Sequence, residues 1–344
     1  MSPRPAAIAW KPFLDDANVA SARLRAFLPC RYLKKAGWRC EIFEPENADF
    51  YELVIFQKAY DEESIALAGS LRARQGKTVF DLCDNHFYNP GDLPEMRQRA
   101  ERLRRMISAV DAVSVSTPEL AKLIEGRDCA VIDDAIEVPP SNPVRAAVDQ
   151  LQNRFGNIRS SRRLRVGWYG GAGSENPPSG IIDLPRAFPY LEALNAQTPV
   201  ELAVISNSEE WFRKYVREVS FPAHYYEWRL DTFAHIFRRQ DVCIIPLGVN
   251  PFTTCKTNNR LVLSLLMGVP VLADKIPSYE EFHDFVLFSD WANNLRTYAA
   301  HPELRRQHVR AGQHYIRAKY NKDRVVSQWS ALFEQILGKE RGRA

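Results

Sequence analysis

The stretch KTNNRLVLSLLMGVPVLADKIPSYEEF, residues 256–282, passes from a polar loop into an apolar run without a break. Its mouth carries two cations, Lys256 and Arg260, and between them a hydroxyl, Thr257, of the kind that caps a helix. Leu261, Val262, Leu263, Leu265, Leu266 and Met267 then leave almost no polar face, so a helix over 257–267 must be packed between neighbours. Gly268 and Pro270 end it, and VPVL (269–272) follows as a short buried strand. A buried helix feeding a buried strand belongs to a parallel sheet with helices on both faces. Cations at a helix N-terminus oppose the macrodipole unless something negative offsets them, so the tip of this helix predicts an anionic ligand, against the plainer reading that the two cations reach surface carboxylates.

Outward from this unit the same alternation runs in both directions. Toward the N-terminus, strands are expected at 6–10, 39–43, 52–56, 77–82, 111–115 and 129–132, with helices at about 20–36, 61–74, 94–109 and 117–125. Residues 137–163 (EVPPSNP, a short helical stretch, a basic stretch) read as a connection. A second series has strands at 164–168, 200–205, 224–227, 241–245, 269–272 and 285–287. Its helices fall at about 183–196, 208–219, 231–239 and 257–267, and three more follow near 289–300, 302–318 and 322–337. Right-handed crossovers make each series a doubly wound, Rossmann-like domain, and two such halves facing a cleft are the simplest architecture. The expected division is 1–150, 151–320 and a closing segment 321–344.

A chain of 344 residues with 45% apolar and 26% charged residues has material for two cores. Forty-six basic against 42 acidic residues leave +4, too mild a bias for a nucleic-acid partner. The clusters RSSRRLR (159–165) and GKERGRA (338–344) suit a solvated linker and tail, or a peripheral contact with the anionic face of the inner membrane. No run approaches the ~18–20 apolar residues of a membrane span, and MSPRPAAIAW lacks a secretory core, so the expected location is the cytoplasm. Cys30, Cys40, Cys83, Cys129, Cys243 and Cys255 are scattered without a CxxC pair, which suits packed free thiols and no zinc site.

Ligands of doubly wound sheets bind beyond the carboxyl ends of the strands, so the residues there carry the chemistry. After 164–168 comes YGGAGSENPPSG, where Gly170, Gly171 and Gly173 would let backbone amides approach a phosphate or a sugar, or form an ordinary glycine turn. It is neither a GxGxxG fingerprint nor a P-loop. After 77–82 come Asp84 and His86: His86 is placed to hydrogen-bond a sugar hydroxyl or accept a proton, and Asp84 to act as base, against the plainer reading of a structural histidine. After 224–227 come Trp228 and Arg229, whose flat groups could flank a nucleobase, or pack on their neighbours, with Asp231 capping the next helix. No spacing suits a metal site.

Six segments in this order, SARLRAFLPCRYLKKAGWRCEIF (21–43), VFDLCDNHF (79–87), DAVSVSTPELAKLI (111–124), VIDDAIEVP (131–139), RVGWYGGAGS (165–174) and the 256–282 stretch, resemble GT-B-fold glycosyltransferases, in particular a bacterial surface-polysaccharide branch related to family GT4. YNKDRVVSQWSALFEQIL (320–337) is similar to the terminal helix that crosses back onto the N-terminal domain of that fold.

The resemblance implies a metal-independent transferase with no bound cofactor. A UDP- or GDP-linked sugar would lie on the C-terminal domain, and a glycan or lipid-linked acceptor on the N-terminal one. It sets Gly170 and Gly171 near the donor phosphates and Lys256, Thr257, Asn258, Asn259 and Arg260 in the donor-facing segment. Lys256 joins Asp84 and His86 as a catalytic candidate, His86 lying near the family's cleft histidine. Retention of anomeric configuration is the family's course. Many GT4 enzymes carry a Glu-x7-Glu motif here; the matching positions are Cys255 and Leu263, so the ribose needs another partner, with Asp274, Ser278 and Glu280 as candidates. The alternatives are a nucleotide-sugar epimerase or hydrolase on the same fold, and a non-catalytic sugar- or nucleotide-binding module.

Overall fold

The computed structural model describes residues 7–139, 163–216 and 218–338. The boundary expected at 150/151, the short helical stretch before it, four residues of the 159–165 cluster and all but Gly338 of the 338–344 cluster lie outside these residues.

The chain forms two compact units. The first takes the described residues up to Ile136, a short insertion Thr254–Thr257, and those from Lys319 onward; the second takes those of Glu137–Thr253 and Asn258–Ala318.

In the first unit, β1 (Ile8–Pro12), β2 (Cys40–Ile42), β3 (Leu53–Gln57), β4 (Lys77–Leu82), β5 (Ala112–Val115) and β6 (Cys129–Val131) form one sheet in the order β2-β1-β3-β4-β5-β6. Every pairing is parallel. All six expected strands are present, within two residues of their expected ends. The period of two divides each strand between two cores: Ile8, Trp10, Leu53 and Ile55 face one way, Ala9, Val54, Phe56 and Phe80 the other.

The helix expected at 20–36 is α1, which runs through Ala20–Ala22, a π-helical turn Arg23–Phe27 and Leu28–Lys35. It is followed by α2 (Glu62–Ala73), α3 (Pro94–Ala109) and the short α4 (Pro118–Ala121). Asp61 caps α2 by accepting from the Ser64 amide at 2.9 Å, and Thr117 caps α4 through the Leu120 amide at 3.2 Å.

In the second unit, β7 (Leu164–Tyr169), β10 (Val200–Ser206), β11 (Ala223–Glu227), β12 (Val242–Ile245), β13 (Val271–Ala273) and β14 (Leu287–Phe288) pair in parallel in the order β11-β10-β7-β12-β13-β14. This is the doubly wound order whose direction reverses between β7 and β12, the switch point where a crevice opens. Helices α5 (Phe188–Asn195), α6 (Glu209–Tyr215), α7 (Phe233–Phe237), α8 (Asn259–Leu266), α9 (Trp291–Ala300) and α10 (Pro302–Lys319) fall at the expected places, several of them shorter. A small hairpin between β7 and β10, β8 (Gly173–Glu175) with β9 (Pro178–Gly180), was not expected from the glycine-rich loop.

The last helix, α11 (Lys322–Leu337), belongs to the first unit. Val325, Trp329, Leu332 and Phe333 form its buried stripe and enter the core of α1 and β1, with Val326, Ile336 and Leu337 at its margin. Trp329 meets Trp10 edge-on at 5.6 Å, and Trp38 donates to the Ser330 hydroxyl at 2.9 Å. The six cysteines are all free and all but Cys129 buried. Among the described residues no helix is long and apolar enough to cross a membrane.

Candidate functional site

The residues singled out at the helix mouth part company in the structure. Lys256 and Thr257 lie in the insertion that folds with the first unit, while Asn258 and Arg260 fold with the second. The helix begins at Asn259, one residue after its N-cap Asn258, which makes no side-chain capping bond. Thr257 is therefore not the cap. Its hydroxyl donates to the Asp134 carboxylate at 2.7 Å, a charge-assisted hydrogen bond within the first unit.

In the second unit, the carboxyl edge of β7 and β12 gathers one cluster. Arg260, on the first turn of α8, points its Nη1 at the Tyr169 carbonyl (3.3 Å) and lies over the Trp168 ring at 6.0 Å. Tyr169 returns the contact, its hydroxyl donating to the Arg260 carbonyl at 2.9 Å. Gly170 leaves the room this needs, since a Cβ there would sit 3.3 Å from Nη1 and 3.1 Å from the Trp168 ring.

Asp183, buried in the turn Ile181–Ala187, accepts from the Gly248 amide at 2.8 Å while its second oxygen has no partner. Burial pushes its carboxyl up, and the Gly248 N–H and the Arg260 charge pull against that. Asn207, after β10, accepts from the Ala172 amide at 2.7 Å and so fixes the glycine-rich turn.

Gly171 is exposed, and a Cβ there would make only ordinary contacts at 3.9 Å, but Gly173 is glycine for a local reason: at φ +86° a Cβ would meet the Ser179 carbonyl oxygen at 1.9 Å across the hairpin. Trp228 packs on the fold itself, stacked on Tyr169 at 6.3 Å and tilted on Phe233 at 4.2 Å. Arg229 is exposed beside Asp231 at 3.6 Å. Asp231 is thus not the cap of α7, which begins after Thr232. Asp274 has both oxygens occupied, by the Trp291 indole N–H (2.8 Å) and the Leu247 amide (2.9 Å), and Glu280 pairs with Lys275 at 3.5 Å.

In the first unit, the loops after β3 and β4 bring together Lys58, Tyr60, Asp84 and His86, and the insertion adds Lys256. Asp84 accepts from Lys58 at 2.7 Å and from Lys256 at 2.5 Å. Burial would raise its carboxyl, but the two ammonium groups outweigh that and hold it well below the usual carboxylate range. A carboxylate held so firmly is a weak base, and its geometry is that of a clamp on two lysines.

His86 shares a 2.7 Å hydrogen bond between Nδ1 and the Tyr60 hydroxyl. Burial, then the Lys58 charge, brings its imidazole down to about 3, so it is neutral at physiological pH. Lys58 and Tyr60 were missed in the sequence, although the same rule about residues following a strand points to them. Asn207, directly after β10, was missed under the same rule; Asp183 carries no comparable signal. Among the described residues no group of three or more His, Cys, Asp or Glu side chains could hold a metal ion.

A pH effect follows from His86. Its folded pKa lies below the ordinary 6.5, so as pH falls from 6.5 toward about 3 the unfolded chain takes up a proton that the folded one refuses. Stability therefore falls on acidification, by at most ~1.4 kcal/mol per pH unit for one proton. His86→Gln should lack this slope. Equal slopes in urea titrations of the two proteins across that window would mean that His86 is not held neutral.

Residues 189–331 match a family model described as glycosyl transferase-like. Over 97% of this chain and 98% of its own, a glycosyltransferase from Rickettsia africae ESF-5 superposes with a TM-score of 0.63 at 10% identity. This is the GT-B fold of the glycosyltransferases. TarM has the same GT-B arrangement, with a TM-score of 0.60 at 11% identity over 89% of this chain and 57% of its own, so the chain spans little more than half of TarM. A mutant of S. aureus TarM has been crystallised with fondaparinux, alpha-GlcNAc-glycerol and UDP. A putative UDP-N-acetylglucosamine 2-epimerase from Listeria monocytogenes matches 98% of the chain and 99% of its own with a TM-score of 0.54 at 11% identity. At these identities the likeness is one of fold. No curated protein sequence matches the chain.

Proposed function

We propose that the protein is a glycosyltransferase that moves a sugar from a nucleoside diphosphate to a hydroxyl of a surface glycan or lipid-linked acceptor. The observation that carries this is Arg260, held by Tyr169 and Trp168 at the β7/β12 switch point beside glycines that leave the edge open. In doubly wound sheets this edge is where phosphates bind, and the transferase-like match covers α8 and most of this unit. Titrated ligands are UDP- and GDP-linked sugars, as the UDP in the TarM crystal suggests.

In this proposal the acceptor oxygen bonds to the anomeric carbon while the bond to the diphosphate breaks and its electron pair leaves with the phosphate. Arg260 and the amides opening α8 stabilise that departing charge without a metal. On the retaining course the hydroxyl proton leaves with the diphosphate. The neutral His86 orients the acceptor hydroxyl in the first unit. Lys256, clamped by Asp84, adds positive charge there. The working division is donor on the second unit, acceptor on the first, in the cytoplasm.

Arg260→Ala should weaken UDP or GDP binding roughly 10- to 100-fold, because a charge-assisted bond is worth ~1.5–3 kcal/mol. Uridine and guanosine should bind as before. Transfer should fall at least as far as affinity, since leaving-group charge grows in the transition state. Arg260→Lys recovers only part, the planar fork being lost. Unchanged diphosphate affinity by calorimetry would end the reading. Product analysis separates transfer from the epimerase fold-mate's chemistry: an isomerised nucleotide sugar without acceptor would favour the latter.

A further inference from the structure

Helix α3 carries five arginines between Arg97 and Arg105, and they divide into two kinds. Arg97, Arg104 and Arg105 pair with Asp92, Glu101 and Glu62. Arg99 and Arg102, one turn apart and half-buried, have no carboxylate at ion-pair distance among the described residues. Nε and Nη2 of Arg99 and Nε of Arg102 are shut from solvent with no hydrogen-bond acceptor. Burying a guanidinium N–H unsatisfied is costly, and like charges three residues apart on a helix repel. Something must offset both.

The Arg104 guanidinium over the Phe87 ring at 5.8 Å and the Arg105–Glu62 pair hold α3 against the loops that carry Tyr60 and His86, so the charges of Arg99 and Arg102 act on Tyr60 and that of Arg99 on His86. Lys58 and Lys256 complete the surroundings. Four cations thus converge around the Tyr60–His86 hydrogen bond, with Asp84, already shared by both lysines, as the carboxylate among them. Glu62, which Arg102 also feels, is taken by a two-pronged bond from Arg105 at 2.7 and 2.8 Å. All of these groups come from the carboxyl edge of the first sheet, the insertion and α3, within one unit.

We propose that this cluster receives a phosphate group of the substrate bound by the first unit. Arg99 and Arg102 supply planar forks suited to phosphate oxygens, Lys58 and Lys256 supply point charge, and the Tyr60 and His86 pair supplies a neutral hydrogen-bonding wall. A phosphate here offsets, by its charge, both the repulsion and the burial of the two guanidinium groups, without contact to the N–H groups shut from solvent. That the phosphate belongs to the acceptor rests on the transferase reading; the anion site itself does not. The phosphate comes either from a soluble sugar phosphate or from a lipid headgroup.

The test is calorimetric titration of the full chain, and of Arg99→Gln, Arg102→Gln and Arg260→Ala matched to it in melting temperature. The probes are inorganic phosphate, glucose 6-phosphate, UDP, and vesicles of phosphatidylglycerol and phosphatidylcholine in equal parts. A phosphate probe should bind the wild-type protein and weaken about tenfold or more in each of the two glutamine variants, while their UDP affinity is unchanged. Arg99→Lys should restore part of the binding. Loss for glucose 6-phosphate identifies a soluble source, loss for vesicles alone a headgroup.

Phosphate and vesicle binding undiminished in both glutamine variants, binding lost only in Arg260→Ala, or no binding of any phosphate probe by a wild-type protein that binds UDP would each overturn the site. Failure of UDP to bind, with phosphate binding dependent on Arg99 and Arg102, would instead overturn the transferase reading and keep the site.

Discussion

Trp329→Ala is expected to destabilise the first unit by ~3–5 kcal/mol, the cost of deleting a large buried aromatic side chain. Trp329 is fully buried although it lies within 16 residues of the chain's end. Its ring meets Trp10 of β1 at 5.6 Å and Phe333 at 5.8 Å, and the Arg25 guanidinium lies 5.9 Å from its centre. Trp10 and Arg25 come from the opposite end of the sequence and Phe333 from the next turn of the same helix, so deleting the ring opens the seam between α11 and the first strand and helix. Ending the chain at Asn321 should be worse, because it exposes the core that Val325, Leu332 and Phe333 also cover. Urea unfolding followed by tryptophan fluorescence of the remaining residues measures the loss. An unchanged transition in both proteins would show that α11 is dispensable to the first core.

Arg25→Met is expected to cost a similar ~3–5 kcal/mol, because it strands buried carboxylates. Arg25 lies on the π-helical turn of α1, 1% exposed in its side chain, and forms an ion pair with Asp81 at the end of β4, itself 0% exposed. Nε donates to Asp81 at 3.0 Å, and Nη1 reaches the Ile132 carbonyl and lies 3.5 Å from Asp134. Burial works against the guanidinium charge, and Asp81 more than compensates, so its pKa lies above the ordinary value. Ser114 donates at 2.7 Å to Asp81 Oδ1, the oxygen that Arg25 Nη2 meets, while Nε meets Oδ2.

If the charge left behind is the cause, Arg25→Met with Asp81→Leu should recover a large part of the loss. Removal of the whole pair leaves fewer unmet groups than removal of one partner. A double variant no more stable than Arg25→Met would mean that packing against Trp329, and not the stranded charge, dominates. Either result bears on function, since Asp134 also holds Thr257 and so helps to seat the insertion that carries Lys256.

The sequence by itself was sufficient for the two α/β halves, the twelve principal strands and the helix α11, because these depend on periodicity. Alternating apolar residues or an apolar run between glycines and prolines has few other ways to be buried. The stop at Gly268 and Pro270 was legible for the same local reason. What lay beyond it was the pairing of charges. Lys256 and Arg260 are four residues apart and look like one feature, but Lys256 meets Asp84, 172 positions away, while Arg260 lies against the end of β7. Gly173 looked like a ligand-facing glycine and serves a hairpin. Trp228 looked available to a base and stacks on Tyr169. The carboxylate that Arg25 meets and the want of one among the described residues at Arg99 and Arg102 were invisible in a linear reading, since an arginine on a helix has the same sequence signature whether it faces water, a carboxylate or nothing. Periodicity acts over neighbours and is written in the chain. The partner of a buried charge is chosen by the sheet order that brings distant loops to one edge, so only the tertiary structure decided it.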